Sequence, residues 1–269
     1  MTDIVYKYFD EYLNELRQKG RFTFTSQEVI EKFDITSNAF KMSVQRLKEQ
    51  NRVTRVRKGF YLILPPEYAN RKTLPFGYYV DDLMQFLERD YYVALLTAAM
   101  YHGASHQQPQ QNFVVTEQPY LRPIQNKNQS IIFCLKKNWN KKDINRQKTD
   151  AGYIKISNPS LTAVDLVFYV ERIGGFSHAT TVLSELTIKI DGERLYETSS
   201  RFDQTTTLQR LGYLLDYVIS KKQLASEIYK ALQERSFYPT LLKPSSNSDS
   251  QKAPNRWKVI PNIKVEPDI

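Results

Sequence analysis

The stretch Ser37–Leu64, SNAFKMSVQRLKEQNRVTRVRKGFYLIL, decides how the N-terminal part of this chain is read. Phe40, Val44 and Leu47 recur at helical spacing behind Ser37, a residue suited to an N-cap, which predicts a helix to about Gln50. Val53 to Arg57 and Phe60 to Leu64 are strand-like runs that pivot on Lys58-Gly59, and Pro65-Pro66 stops the second run. Before this stretch, Ile4, Val5, Tyr8, Phe9, Tyr12, Leu13 and Leu16 mark an amphipathic helix that ends at Gly20. Phe22 to Thr25 is extended. Ser26 then suits the cap of a short helix buried through Val29, Ile30 and Phe33, and Asp34-Ile35-Thr36 makes a tight connection. Helix, short helix, turn, helix and Gly-cornered hairpin is the order of a winged helix-turn-helix.

In that architecture the third helix lies in the major groove and the wing meets phosphates or the minor groove. Charge is distributed accordingly. Between Ser37 and Phe60 there are seven basic residues (Lys41, Arg46, Lys48, Arg52, Arg55, Arg57, Lys58) and one acid, Glu49. With Phe40, Val44 and Leu47 turned inward, Ser37, Asn38, Lys41, Met42, Gln45 and Arg46 fall on or near the outer face. Asn, Gln and Arg are side chains able to bond purine edges in pairs. Arg55, Arg57 and Lys58 are expected to supply affinity and salt dependence more than sequence choice. The alternatives are a merely solvated basic surface or a winged helix that binds protein.

The remainder predicts an α+β or mixed α/β domain of about 165 residues. Asp81 to Glu88, Tyr91 to Tyr101, Leu161 to Tyr169, Ala179 to Ile190, Leu208 to Ile219 and Ala225 to Glu234 read as helices. Asn112 to Thr116, Ile131 to Leu135 and Tyr153 to Ile156 read as strands. The division expected is a DNA-binding domain over residues 1–75, a C-terminal domain over 76–240, and an extended tail over 241–269 pinned by Trp257. A second basic stretch holds Arg122, Lys127, Lys136, Lys137, Lys141, Lys142, Arg146 and Lys148 around Trp139, opposed by Asp143 alone. It suits a nucleic-acid surface, an acidic partner, or a solvated loop between strands.

Composition narrows the classes. The chain has 269 residues, 41% hydrophobic and 13% aromatic, as expected of a folded protein, and its net charge of +9 favours polyanionic partners but supports solubility or nonspecific binding just as readily. One cysteine, Cys134, excludes an internal disulfide and a Cys-based zinc site, and its apolar surroundings suit an inert core position. No apolar run approaches the roughly 18 residues of a membrane span, and Met1 to Tyr12 lacks a signal-peptide core, so a soluble cytoplasmic protein is expected. His102 and His106 have a metal-ligand spacing, but no acid or cysteine completes a site and Gly103 interrupts the helix. Asp165 with Glu185 and Lys189 invites comparison with a nuclease cluster; Glu185 and Lys189 read more simply as an i,i+4 ion pair. Gly174-Gly175 is a turn that lacks the Lys-Ser/Thr of a phosphate loop. No nucleophile–base arrangement is found, and neither catalysis nor a cofactor is expected.

The sequence resembles the AbiEi family, antitoxins of type IV toxin–antitoxin (abortive infection) systems, over about residues 5 to 240. The resemblance rests on the wing Val53 to Tyr61 with Leu64-Pro65-Pro66-Glu67-Tyr68, on Tyr91 to Ala99, on His102 to Gln110, and on Asp165-Leu166-Val167 with Gly174-Gly175. It implies that the N-terminal domain binds inverted repeats in its own promoter and represses the operon. It also implies that the larger domain carries the antitoxin effect against a nucleotidyltransferase toxin, without requiring a stable complex. A monomer in solution that binds DNA cooperatively fits the same picture. Two other readings are a winged-helix regulator of other genes and a nuclease-like enzyme. The chemistry of His102 to Gln110 assigns the segment no role, and a structural turn between a buried helix and a strand is the preferred account.

Overall fold

The computed structural model describes residues 2–104, 110–244, 253 and 255–267, with side chains from residue 8 onward. His106 and its neighbours 105–109 therefore lie outside the described residues. The chain divides into two compact units. The first comprises Met1–Tyr92, Val114–Lys136 and Arg146–Lys155; the second comprises Val93–Phe113, Lys137–Asn145 and Ile156–Ile269. Among the described residues no helix is long and apolar enough to cross a membrane.

The first unit opens with α1 (Thr2–Gln18), β1 (Thr23–Thr25), α2 (Ser26–Phe33), α3 (Ser37–Glu49), β2 (Val53–Arg57) and β3 (Phe60–Ile63). The three strands form an antiparallel sheet in the order β1-β3-β2. Phe9, Leu13, Phe24, Val29, Phe40, Val44, Leu47 and Val53 close one core, and Phe9 meets the rings of Phe24 and Phe40. This is the winged helix expected from the sequence.

Both helix caps fall one residue earlier than the sequence suggested. Thr25, not Ser26, caps α2: its hydroxyl accepts from Glu28 N (3.1 Å) while the Glu28 carboxylate accepts from Thr25 N. This reciprocal box satisfies two otherwise orphaned donors. Thr36, not Ser37, caps α3 by accepting from Ala39 N at 3.2 Å. Glu28 also receives a two-pronged bond from Arg21 (2.8 and 2.7 Å) and one from the Tyr12 hydroxyl, which locks α1 to α2.

Beyond the winged helix come α4 (Val80–Phe86), β4 (Tyr91–Val93), α5 (Leu95–Tyr101), β5 (Asn112–Thr116), β6 (Ile124–Asn126), β7 (Gln129–Leu135), β8 (Ile144–Thr149) and β9 (Gly152–Ser157). Six of these strands make one sheet, ordered β6-β7-β5-β4-β9-β8. Tyr91 to Tyr101, read as one helix, is instead a strand followed by a helix. Tyr91, Tyr92 and Val93 are all buried, and hydrophobic periodicity cannot separate a strand buried on both faces from a helix. Leu95 at φ +54° makes the break.

The second unit continues with α6 (Pro159–Phe168), α7 (Phe176–Leu186), α8 (Gly192–Arg201), α9 (Thr205–Tyr213) and α10 (Lys222–Gln233). Helix α6 is almost wholly buried, with Asn158 as cap and Pro159 as its first residue. The remaining pair, β10 (Thr240–Leu241) and β11 (Val259–Ile260), is parallel, and Trp257 beside it is fully buried, as the sequence suggested for the tail.

Candidate nucleic-acid interface

Helix α3 buries Phe40, Ser43, Val44 and Leu47. The 3.6-residue period then leaves Ser37, Asn38, Lys41, Met42, Gln45 and Arg46 exposed on one face. Gln45 Nε2 donates to Glu49 Oε1 at 2.9 Å. On the wing, Arg55 and Lys58 are exposed and Arg57 is half-buried. Register shifts between Arg55 and Arg57, where Val56 turns inward, and Gly59 adopts φ +86° at the corner. Such a bulge sharpens the twist and re-aims the flanking side chains.

Besides Gln45, Arg52 and Lys48 are held by intramolecular contacts. Arg52 is ion-paired with Asp10 of α1, so its guanidinium braces the turn between α3 and β2. Lys48 is half-buried with its ammonium 5.7 Å from the centre of the Tyr61 ring. Burial, and next the nearby Arg55 charge, push its pKa below the ordinary lysine value.

The stretch from residue 122 to 148 is not one loop. Arg122 and Lys127 are exposed before β6 and in the β6–β7 turn. Lys136 follows β7 and donates to the Tyr92 hydroxyl at 3.2 Å. Lys137, Lys141 and Lys142 are exposed, the last two in a 3₁₀ turn, while Arg146 stacks on Tyr153 and Lys148 is exposed on β8. Asp143, the one acid in the run, is buried and bonded to Thr198 (2.8 Å) and Arg201 (2.7 Å). It is therefore occupied internally.

The residues considered for catalysis lie on three different elements. Asp165 is fully buried in α6, Glu185 is half-buried near the end of α7, and Lys189 is exposed in the 3₁₀ turn after that helix ends. Glu185 and Lys189 therefore do not share one continuous α-helical face. Among the described residues, no group of three His, Cys, Asp or Glu is placed to hold a metal.

His102 ends α5 in a Schellman arrangement: Ala104 N donates to Ala99 O (2.8 Å), Gly103 N to Met100 O (2.9 Å), and Gly103 takes φ +74°. Its Nε2 lies 2.8 Å from Ser157 O, fixing the helix end to the end of β9. A carbonyl accepts only from an N–H, so neutral His102 carries its proton on Nε2. Burial lowers its pKa, against the Ser157 carbonyl, which raises it. The unfolded chain thus takes up this proton at higher pH than the folded one. The stability so contributed is present above about pH 6.5 and is lost as pH falls through the folded value. Denaturant titrations at stepped pH from 7.5 to 5 should show this decline, and His102→Gln should flatten it.

A winged helix with an exposed cationic third helix and wing, extended by a mixed α/β portion, is the architecture of a winged-helix protein with an appended module. Residues 92–217 match the family model of the AbiEi antitoxin C-terminal domain. These residues thus carry an AbiEi antitoxin C-terminal domain, which supports an antitoxin role in a toxin–antitoxin system. A similar solved structure is the crystal structure of the RV2827C protein from Mycobacterium tuberculosis. It superposes with a TM-score of 0.63 at 15% identity, covering 94% of this chain and 90% of that one, so the two share a fold along nearly their whole length. No curated protein matches by sequence.

Proposed function

We propose that this antitoxin is a DNA-binding autorepressor of a type IV system. The winged helix binds inverted repeats in its own promoter. The larger domain counteracts a nucleotidyltransferase toxin without a stable complex, and the protein works without catalysis or cofactor in the cytoplasm. The observation that carries the reading is the solvent exposure of Asn38, Lys41, Gln45 and Arg46 on α3 and of Arg55 and Lys58 on the wing. Ser37 and Asn38 at the helix start meet the duplex first, and the wing grips phosphates. Arg52 acts through the brace to Asp10, Lys48 at the foot of the wing. The exposed lysines and arginines between 122 and 148 offer a second basic surface.

Footprinting on the upstream region of its own gene tests the first half. Protection of two inverted half-sites is expected, with binding that steepens as the second fills. A footprint with no preference over unrelated DNA would remove the autorepressor reading. Co-expression with the neighbouring gene tests the second half: growth should be restored with no toxin retained on the tagged antitoxin. Stable co-purification of the pair would overturn the type IV assignment.

A further inference from the structure

At the foot of the wing, within the first unit, lies an open cleft of about 350 Å³. Its wall is built from the end of α3 (Lys48), the turn after it (Asn51), strand β2 (Arg55), the segment after β3 (Lys72) and the β6–β7 turn (Asn126, Lys127). Four cations line it and no carboxylate does. Like charges that converge without a counter-charge raise the local positive potential; burial chiefly, and next the Arg55 charge, lower the pKa of Lys48.

The two outer cations sit on backbone that is fixed. Gln129 Nε2 donates to Thr73 Oγ1 at 3.1 Å, tying the strand behind Lys127 to the residue next to Lys72. Asn126 closes the turn: its Oδ1 accepts from Asn128 N (3.0 Å) and its Nδ2 donates to Gln129 Oε1 (3.2 Å). Lys72 itself is held at φ +53°, with its N–H bonded to Tyr68 O. Preorganised donors around an open cleft are what an anion site requires, because the cost of assembling the like charges is met by the fold and not by the ligand.

We propose that this cleft is a phosphate-binding site in which Lys48, Arg55, Lys72 and Lys127 receive one phosphate group. It rests on the DNA-binding reading above for its first ligand, a phosphodiester of the duplex just beyond the wing. The same chemistry admits free phosphate as a second source. Lys127 thereby becomes part of the anion-binding surface although it is distant in sequence from the winged helix and from Lys72.

The test compares the full-length protein with its Lys72→Gln/Lys127→Gln variant, after circular dichroism has shown equal folding. One arm measures affinity for duplex DNA against salt. Loss of contact to that one phosphodiester should make the log–log slope shallower by up to about 0.9, with affinity lower severalfold at 0.15 M salt, equally on operator and scrambled sequence. The other arm titrates inorganic phosphate at constant ionic strength and follows the thermal midpoint. A rise in the wild type that the variant lacks identifies free phosphate as a ligand. Either difference supports the cleft; an unchanged slope together with an unchanged phosphate response overturns it. If the wild type binds no duplex DNA, the autorepressor reading fails, and the phosphate arm still decides the cleft.

Discussion

Gly212→Ala should destabilise this protein by about 3 kcal/mol or more, although replacing a mid-helix glycine by alanine ordinarily stabilises by about 0.5–1 kcal/mol. The reversal comes from Trp257. A Cβ built on Gly212 in α9 falls 2.0 Å from Trp257 Cζ3 and 2.4 Å from Cε3, with the indole fully buried. The ring has little freedom to retreat. It stands edge-on to Tyr229 at 5.5 Å, and its Nε1 donates to Asp216 Oδ2 at 3.0 Å. The same carboxylate is ion-paired with Arg256 at 2.8 Å, and the Trp257 carbonyl accepts from Gln209 Nε2 at 2.7 Å. Admitting a methyl group means expelling the indole, for which Trp→Ala losses of about 3–5 kcal/mol set the scale. The parallel pairing of Thr240 with Val259 should be lost with it.

Denaturant midpoints and limited proteolysis between residues 240 and 262 measure both effects. The paired control is Trp257→Ala, which removes the obstacle; the double variant should cost clearly less than the sum of the two single changes. A Gly212→Ala protein more stable than the wild type would show that the indole does not occupy that site.

The packing behind this prediction also shows where sequence reading succeeds and stops. A lone tryptophan in a Pro-, Ser- and Asn-rich tail is legible as an anchor, because little else there can repay ordering the chain. Its socket is not legible: Gly212 lies 45 residues earlier in a helix that any amphipathic pattern would accept. The winged helix was readable because every element in it is local, with a helical period, a Gly corner and a proline stop in succession. The six-stranded sheet was half readable. Central strands β5 and β7 are apolar, whereas β6 and β8 are the two edges, and β8 reads Ile-Asn-Arg-Gln-Lys-Thr. Edge strands are kept polar and charged to discourage further pairing, and that same property disguises them as loops. Helix α8 escaped notice for a related reason, since only Leu195, Thr198 and Ser199 of its ten residues are buried. In the candidate interface, the exposed face of α3 follows from counting residues, while the ion pair of Arg52 with Asp10 does not. It joins positions 42 residues apart that only the folded core brings together.

Arg55→Ala combined with Arg57→Ala carries the largest expected effect on DNA binding. Both side chains flank the inward-turned Val56 on the outer strand of the wing sheet, Arg55 exposed and Arg57 half-buried. Truncating such surface cations leaves stability within about 0.5 kcal/mol. Lost binding therefore cannot be laid to unfolding, which unchanged denaturation curves would verify. Each neutralised phosphate contributes about 0.9 to the slope of log affinity against log salt, so losing two should flatten it by about 1.8. Affinity at 0.15 M salt should fall on the order of ten- to a hundredfold, by the same factor on operator and random duplexes, because phosphate contacts carry no base identity. Asn38→Ala on α3 should behave in the opposite way, with weaker operator binding, an unchanged slope and little loss on random DNA. Each base contact of this kind contributes about 1–3 kcal/mol of discrimination. Fluorescence anisotropy on both duplexes across a salt series separates the two classes. If the arginine pair alters neither slope nor affinity, the wing does not meet the sugar-phosphate backbone, and the cationic face of α3 must find its partner without it.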